Sequence, residues 1–237
     1  MSTAPAFRYA SPELDAMAEA RNYYQWIARH FAPYLGTRVV EVGAGIGTFS
    51  GHLLRAAPDA ALTLIEPAAN NVEVLRERMH GEPRVRVRHG YLDADAPERD
   101  ASSVVAVNVL EHVEDDGAFL RAAHRVLAPG GHLLLFVPAV PWIYGTLDSA
   151  FEHFRRYTRA GLRREVEAAG FGVDQIHYFN LPGVLAWWVS GVLLRRRTVT
   201  ARDARLYDRW AVPVVRAVES RWHPPLGQSL LVVATRP

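Results

Sequence analysis

The chain contains no cysteine, and all of its 27 basic residues are arginine, with no lysine. Without cysteine there can be no disulfide, thiolate nucleophile, or cysteine-ligated zinc or iron–sulfur site. Without lysine there can be no lysine base, Schiff base or P-loop lysine. The arginine bias itself reads as base composition of the gene. Long apolar runs are also missing. Leu181–Leu194 is apolar but stops at Arg195, Arg196 and Arg197, short of the about 20 residues needed to span a bilayer. Met1–Ala10 has neither a basic n-region nor an apolar h-region, so no signal peptide and a cytoplasmic location are expected.

What is present suffices for a folded unit. The 237 residues are 49% hydrophobic, which suits one domain, or one domain with an appended lobe. The formal net charge of +2 is unevenly spread: from Arg195 onward nine arginines face three acids. Such a tail can meet nucleic acid or an anionic membrane. Its alternating acids and lack of interleaved stacking aromatics favour a solvated helix face.

Pro12–Phe31 predicts an amphipathic helix ending before Pro33. Strands then alternate with helices. Arg38–Val42, Ala61–Ile65, Val85–Arg88, Ser103–Asn108 and His132–Val137 read as strands. Phe49–Ala57, Asn70–Met79 and Gly117–Leu127 read as helices, and Pro-Gly-Gly at 129–131 turns the chain into the fifth strand. The alternation predicts an α/β fold with helices on both faces of a parallel sheet. After Pro138 the rhythm breaks into a long aromatic and charged connection, and such connections tend to be functional. Arg159–Ala169 is then a helix closed by Gly170. Val173–Tyr178 and Leu230–Ala234 are strands, with a mostly helical insertion over 181–221 between them. The expected organisation is one domain over 1–237, with a helical cap at 1–33. The insertion forms a lid or substrate wall in which Trp187 and Trp188 are buried. Alternatively, 181–197 lies in a membrane interface as a peripheral contact.

The stretch Val39-Val-Glu-Val-Gly-Ala-Gly-Ile-Gly-Thr-Phe-Ser50 carries glycines at alternate positions, Gly43, Gly45 and Gly47. A dinucleotide fingerprint starting at Gly43 needs its third glycine where Thr48 stands. The phosphate P-loop needs a Gly-Lys-Ser/Thr end, which is absent. Glu41, two residues before the first glycine, would repel a pyrophosphate and suit a cation. Glu66 ends the next strand, where related folds bind ribose hydroxyls. The site therefore asks for a ribose, a cationic neighbour and no phosphate, which S-adenosylmethionine satisfies.

Glu41-Val-Gly-Ala-Gly-Ile-Gly47 resembles motif I of the class I S-adenosylmethionine-dependent methyltransferases. Leu64-Ile-Glu66-Pro67 resembles their second-strand acidic motif. Asn108-Val-Leu-Glu-His112-Val-Glu-Asp-Asp116 and Leu127-Ala-Pro-Gly-Gly131 resemble their fourth-strand region and the turn into strand five. The resemblance implies a Rossmann-like, seven-stranded, mostly parallel sheet of order 3-2-1-4-5-7-6 with strand seven antiparallel. It also implies S-adenosylmethionine as cofactor. By the same resemblance the loop of Gly43, Gly45 and Gly47 meets its methionine part, Glu41 holds the amino end, and Glu66 with Pro67 takes the ribose. Tyr91 and Leu92 flank the adenine, although many relatives have aspartate where this chain has Tyr91. Asn108, Val109 and His112 lie beside the cofactor, His112 being also readable as a core histidine.

Methyl transfer from a sulfonium is an in-line displacement, so the protein mainly aligns and desolvates the reactants. The segment from Pro138 to Thr158 follows strand five at the ligand-binding edge of such sheets. In it His153 suits general-base work and Tyr157 joins it as a catalytic candidate. Arg155 and Arg156 suit an anionic group on the acceptor, or else pair with Asp148 to hold the loop. Trp142 and Tyr144, with Tyr23 from the N-terminal helix and Trp187 from the insertion, wall the acceptor pocket. No metal site is expected. The expected function is methylation of a small molecule, either a specialised metabolite or a lipid-like precursor. Alternatives are a nicotinamide oxidoreductase, which the glycine register opposes, a non-catalytic cofactor-binding protein, and a membrane-surface lipid or quinone methyltransferase. Nucleic acid is not an expected partner, since no Asn/Asp-Pro-Pro-aromatic motif occurs.

Overall fold

The structure, a computed structural model, describes residues 16–237. The strands are β1 (Arg38–Val42), β2 (Ala61–Glu66), β3 (Val85–His89), β4 (Ala101–Val107), β5 (Leu127–Pro138), β6 (Gly172–Phe179) and β7 (Ser229–Thr235). The helices are α1 (Arg21–Phe31), α2 (Ser50–Ala56), α3 (Ala69–Arg78), α4 (Asp116–Val126), α5 (Thr146–Ala150), α6 (Arg159–Ala168), α7 (Leu181–Trp187), α8 (Ala201–Leu206) and α9 (Val212–Glu219). The strands form one seven-stranded sheet of order β3-β2-β1-β4-β5-β7-β6. β7 runs antiparallel to β5 and β6, and the remaining pairs are parallel. This is the order that the motifs imply.

Burial accounts for the strand sequences. Leu133–Val137 and Leu230–Ala234 are buried at every position, so these central strands are unbroken apolar runs covered on both faces. Edge strand β3 instead carries Arg86 and Arg88, which discourage pairing with another chain. On one face α1, α2 and α9 bury Ile27, Phe31, Leu53, Val212 and Val215; on the other α4 and α6 bury Leu120, Ala123, Leu162 and Val166.

Three expectations change. The helix over 12–31 is interrupted at Ala20 (φ −85°, ψ 54°), and α1 begins at Arg21; its expected start before residue 16 lies outside the described residues. The first amides of α1 are satisfied from far along the chain. Asp208 accepts from the backbone N–H of Asn22 at 3.0 Å and of Tyr23 at 2.8 Å. A carboxylate there meets both the orphan donors and the positive end of the helix. Second, Pro-Gly-Gly falls inside β5 as an irregularity, the register moving from Ala101↔Leu127 to Ser103↔His132. Third, Trp188 is 36% exposed rather than buried. Successive helical residues point about 100° apart, and Trp187 takes the inward position.

The 181–221 insertion is helical. α7 continues into a π turn over Trp188–Leu193, and α8 into another over Tyr207–Ala211. Glu219 at the end of α9 returns to cap α7, accepting from the backbone of Asn180 and Leu181 at 2.9 Å each. Among the described residues no helix is long and apolar enough to cross a membrane.

Candidate functional site

At the carboxyl edge of the sheet lies a cavity of about 1360 Å³, where open α/β sheets bind ligands. The glycine loop between β1 and α2 forms one wall. Gly43, Gly45 and Gly47 all have positive φ (+67°, +56° and +84°). At Gly43 a Cβ would lie 2.5 Å from Cγ2 of Val109, so only glycine lets this loop approach the end of β4. Glu66 holds the loop: Oε2 accepts from Gly45 N at 2.8 Å and Oε1 from Ala68 N at 2.9 Å.

Glu41 is 3% exposed, and its Oε2 has no hydrogen-bond partner among the described residues. Burial pushes its carboxyl up to about 8, offset in part by the Ser50 hydroxyl and reinforced by the charge of Glu66. The ordinary value is 4.5. The stability linked to this proton is therefore complete below about pH 4.5 and is lost as pH rises through about 8, where the buried group must ionise. Glu41→Gln removes that titration. Urea midpoints of the variant should change less between about pH 5 and pH 9 than those of the parent; parallel pH profiles would contradict a raised Glu41.

The opposite wall is built on Asp148, which is fully buried in α5. Its Oδ1 meets Arg156 Nε at 2.7 Å and His153 Nδ1 at 2.9 Å; its Oδ2 accepts from Trp187 Nε1 at 2.9 Å and Gly145 N at 3.0 Å. Burial alone would raise its carboxyl, but these donors and the Arg156 charge hold it down at about 2. Arg156 also donates to the carbonyls of Ala139 and Gln228, and its guanidinium lies 5.1 Å from the Trp187 ring centroid. One carboxylate thus ties the post-β5 connection to the insertion.

The same connection is laid on the turn after β4. Phe154 N donates to Glu111 O at 2.8 Å, and the rings of His112 and His153 stand 4.9 Å apart, edge to face. Glu111 is fully buried, and neither carboxylate oxygen has a hydrogen-bond partner among the described residues. Burial pushes it up to about 7, against the opposing influence of His153 and Arg156. Burial also pushes His112 down to about 4, so its imidazole is neutral at physiological pH. Backbone strain collects around this edge, with positive φ at Asn108 (+53°), Val140 (+65°), Glu152 (+58°) and Asn180 (+63°).

Of the residues expected in the site, Glu41, Gly43, Gly45, Glu66, Pro67, Tyr91, Leu92, Asn108, Val109 and His112 line the glycine-loop side. Tyr23, His153, Arg156 and Trp187 line the other. Five do not line it. A Cβ on Gly47 would meet Leu75 and Met79 at 2.8 Å, so this glycine serves the packing of α3. Trp142 is 63% exposed, because Ile143 takes the buried position of that turn. Tyr144 donates its hydroxyl to His153 O at 2.7 Å and so clasps the connection from outside. Arg155 pairs with Asp116 at 2.9 Å and donates to Glu114 O at 2.7 Å. Tyr157 donates to Leu110 O at 3.1 Å and Asp116 Oδ2 at 3.3 Å, and burial raises its phenol above the ordinary value. The ion pairs that the sequence suggested for both arginines therefore split: Arg156 binds Asp148, and Arg155 binds Asp116.

Sequence reasoning missed Glu111, the hub role of Asp148, and the pair of Asn180, just before the insertion, with Tyr207 inside it, whose Oδ1 and hydroxyl meet at 2.6 Å. Glu111 had a signal, since it adjoins His112 inside a recognised motif. Asp148 had one too, as a possible partner of the arginines, but its bond to Trp187 lies 39 residues away, and the Tyr207–Asn180 pair is 27 residues apart.

An open sheet of this order, with an acidic glycine loop at its switch point, defines an α/β nucleoside-binding fold. Residues 9–176 match the family of methyltransferase domains. A ubiquinone biosynthesis O-methyltransferase of Azorhizobium caulinodans is 30% identical over 165 residues, covering 63% of this chain and 64% of that protein. A probable S-adenosylmethionine-dependent methyltransferase of Mycolicibacterium smegmatis is 34% identical over 172 residues, covering 68% and 63%. The chain thus spans somewhat less than two thirds of these relatives' length. A putative methyltransferase of Bacillus halodurans shares the fold with a TM-score of 0.61 at 20% identity, over 89% of this chain and 97% of that one. The chain belongs to the class I S-adenosylmethionine-dependent methyltransferases, and S-adenosylmethionine is its cofactor. The site suits that group: the buried Oε2 of Glu41, without a partner among the described residues, is matched to an ammonium and mismatched to a pyrophosphate.

Proposed function

We propose that the protein methylates a small-molecule acceptor held between the glycine loop and the 181–221 insertion. The cofactor supplies a methyl group already activated on a sulfonium. The chain's residues bind, align and exclude water. Glu41 holds the ammonium, Gly43 and Gly45 lie against the methionine part, and Glu66 with Pro67 takes the ribose. Tyr91 and Leu92 flank the base, and Asn108, Val109 and His112 close that side. Tyr23 and Trp187 wall the acceptor; His153, oriented by Asp148, and Arg156 give it polar contacts. The insertion acts as lid and α1 as cap, the rest of the expected 1–33 cap before residue 16 lying outside the described residues. The observation that carries this reading is that one cavity joins the acidic glycine loop to Glu111, His112 and His153.

Thermal shift tests the cofactor half. S-adenosylhomocysteine at 100 times its dissociation constant should add about 2.7 kcal/mol of stability, while NAD adds none. Stabilisation by NAD alone would overturn the reading.

A second reading has the acceptor drawn from a membrane surface, as a lipid or quinone would be. The insertion exposes Leu185, Leu193, Leu194 and Trp210 among many arginines, and Trp222 stands just beyond it; each of these five is more than half exposed. Apolar side chains beside cations suit an anionic interface. The relative named for ubiquinone biosynthesis points the same way. Cosedimentation with phosphatidylglycerol vesicles but not phosphatidylcholine vesicles is the expected result; equal, negligible pelleting with both would discard it.

A further inference from the structure

We propose that Glu111, His112 and His153 hold a divalent metal ion in the cavity, and that this ion takes an ionisable oxygen of the acceptor as a further ligand. The inference rests on the methyl-transfer reading for its acceptor, but not for the ion.

Each of the three side chains offers one ligand atom, and these atoms lie within 4.8 Å of one another. Neighbouring ligands on an ion with bonds of about 2.1 Å sit about 3 Å apart, so modest side-chain rotations would close the set. The backbone holds the pieces together: Phe154 N donates to Glu111 O at 2.8 Å, and His153 N to Asp148 O at 3.0 Å.

The second observation is Glu111 itself. It is fully buried in the cavity wall, and both carboxylate oxygens lack a hydrogen-bond partner among the described residues. A buried carboxylate is expensive unless paired or bound to a metal. The nearby cation does not serve it, because Arg156 is bonded to Asp148, Ala139 and Gln228. Counting Glu111, Asp148 and Arg156 as charged leaves one net negative charge for an incoming cation.

The histidines are already oriented as ligands. His153 Nδ1 is engaged by Asp148 Oδ1 at 2.9 Å, which leaves Nε2 for a metal. A hydrogen bond with the Glu152 backbone orients His112. Outer carboxylates and carbonyls hold metal-binding histidines in this manner. Two imidazoles and one carboxylate suit Zn²⁺, Mn²⁺, Co²⁺ or Fe²⁺ better than the all-oxygen preference of Ca²⁺ or Mg²⁺. Three protein ligands leave positions open.

The consequence is a hydroxyl acceptor, a phenol or enol, whose oxygen binds the ion. Coordination makes the hydroxyl more acidic, and its proton passes to solvent water. The oxygen's electron pair then forms the O–C bond as the donor's S–C bond breaks, the departing pair staying on sulfur. His153 thereby acts through the ion and not as a free base.

The test uses the whole protein, stripped with a chelator, dialysed, and titrated with Zn²⁺, Mn²⁺ and Co²⁺ by calorimetry without any S-adenosyl compound. One ion per chain is expected, with at least tenfold weaker binding in Glu111→Gln and in His153→Asn. Glutamine is isosteric and uncharged, so metal-free Glu111→Gln should melt no lower than the parent, which separates a lost ligand from a lost fold. Absence of saturable binding by the parent, or equal binding by parent and both variants, overturns the ion site. Catechol added to the Co²⁺ form should shift its visible absorption; an unchanged spectrum overturns the open position for an acceptor oxygen. S-adenosylhomocysteine binding by the same stripped protein reads the methyl-transfer proposal separately.

Discussion

Replacing Asp148 by alanine should lower stability by about 3–5 kcal/mol, the range for removing one partner of a buried ion pair. Arg156 has a side chain only 1% exposed and loses its carboxylate partner at 2.7 Å. Three further donors, on His153, Trp187 and Gly145, lose their acceptor at the same time. An unpaired buried charge is the dominant loss, because water cannot replace what the carboxylate supplied. Urea denaturation followed by circular dichroism measures the change. If the charge dominates, Asp148→Ala combined with Arg156→Met should recover much of it, since an apolar replacement of a buried pair is often near neutral. A loss under about 1 kcal/mol in the single variant would show that the connection after β5 is held by something else.

Gly43→Ala should abolish the thermal shift by S-adenosylhomocysteine. Two penalties act together. The residue sits at φ +67°, where a Cβ is disfavoured by roughly 1–2 kcal/mol, and the new carbon would lie 2.5 Å from Val109 Cγ2. Relief requires the loop to move away from β4, and with it the backbone that faces the ligand. Gly81→Ala is the matched control. It has φ +83° and, among the described residues, nothing within 4 Å of its added carbon, so it carries the strain without the collision. That variant should lose about 1 kcal/mol and still bind S-adenosylhomocysteine normally. If Gly43→Ala and Gly81→Ala behave alike, contact with Val109 is not what shapes the loop.

Much of the scaffold was legible in the residues. β1 keeps its expected bounds, Arg38–Val42, because Val39, Val40 and Val42 pack in the core and a glycine follows at once. The sheet order followed from the motifs, and no periodicity could have supplied it: a strand's composition says that it is buried, not which strand lies beside it. Boundaries slipped where tertiary contacts override local preference, as at Ala20, where Asp208 starts α1 from the insertion.

The candidate site divides along the same line. Its glycine-loop half is local, since a Gly with positive φ and an acid at a strand end are properties of single positions on one βα unit. The other half depends on long-range pairing. Arg155, Tyr144, Trp142 and Tyr157 are polar or aromatic like their neighbours, yet they face outward or onto α4. What the sequence determined by itself was the methyl donor, through the register of three glycines and the placement of Glu41 and Glu66. Only the tertiary structure assembled the wall proposed for the acceptor. Asp148 collects Arg156, His153 and Trp187, and the turn at Glu111 meets His153, because the connection after β5 is folded back over β4. Asp148 and Arg156 are near neighbours in the chain, but Asp148 with Trp187 and Arg155 with Asp116 are about 39 residues apart and meet only in a shared interior, which no local spacing encodes.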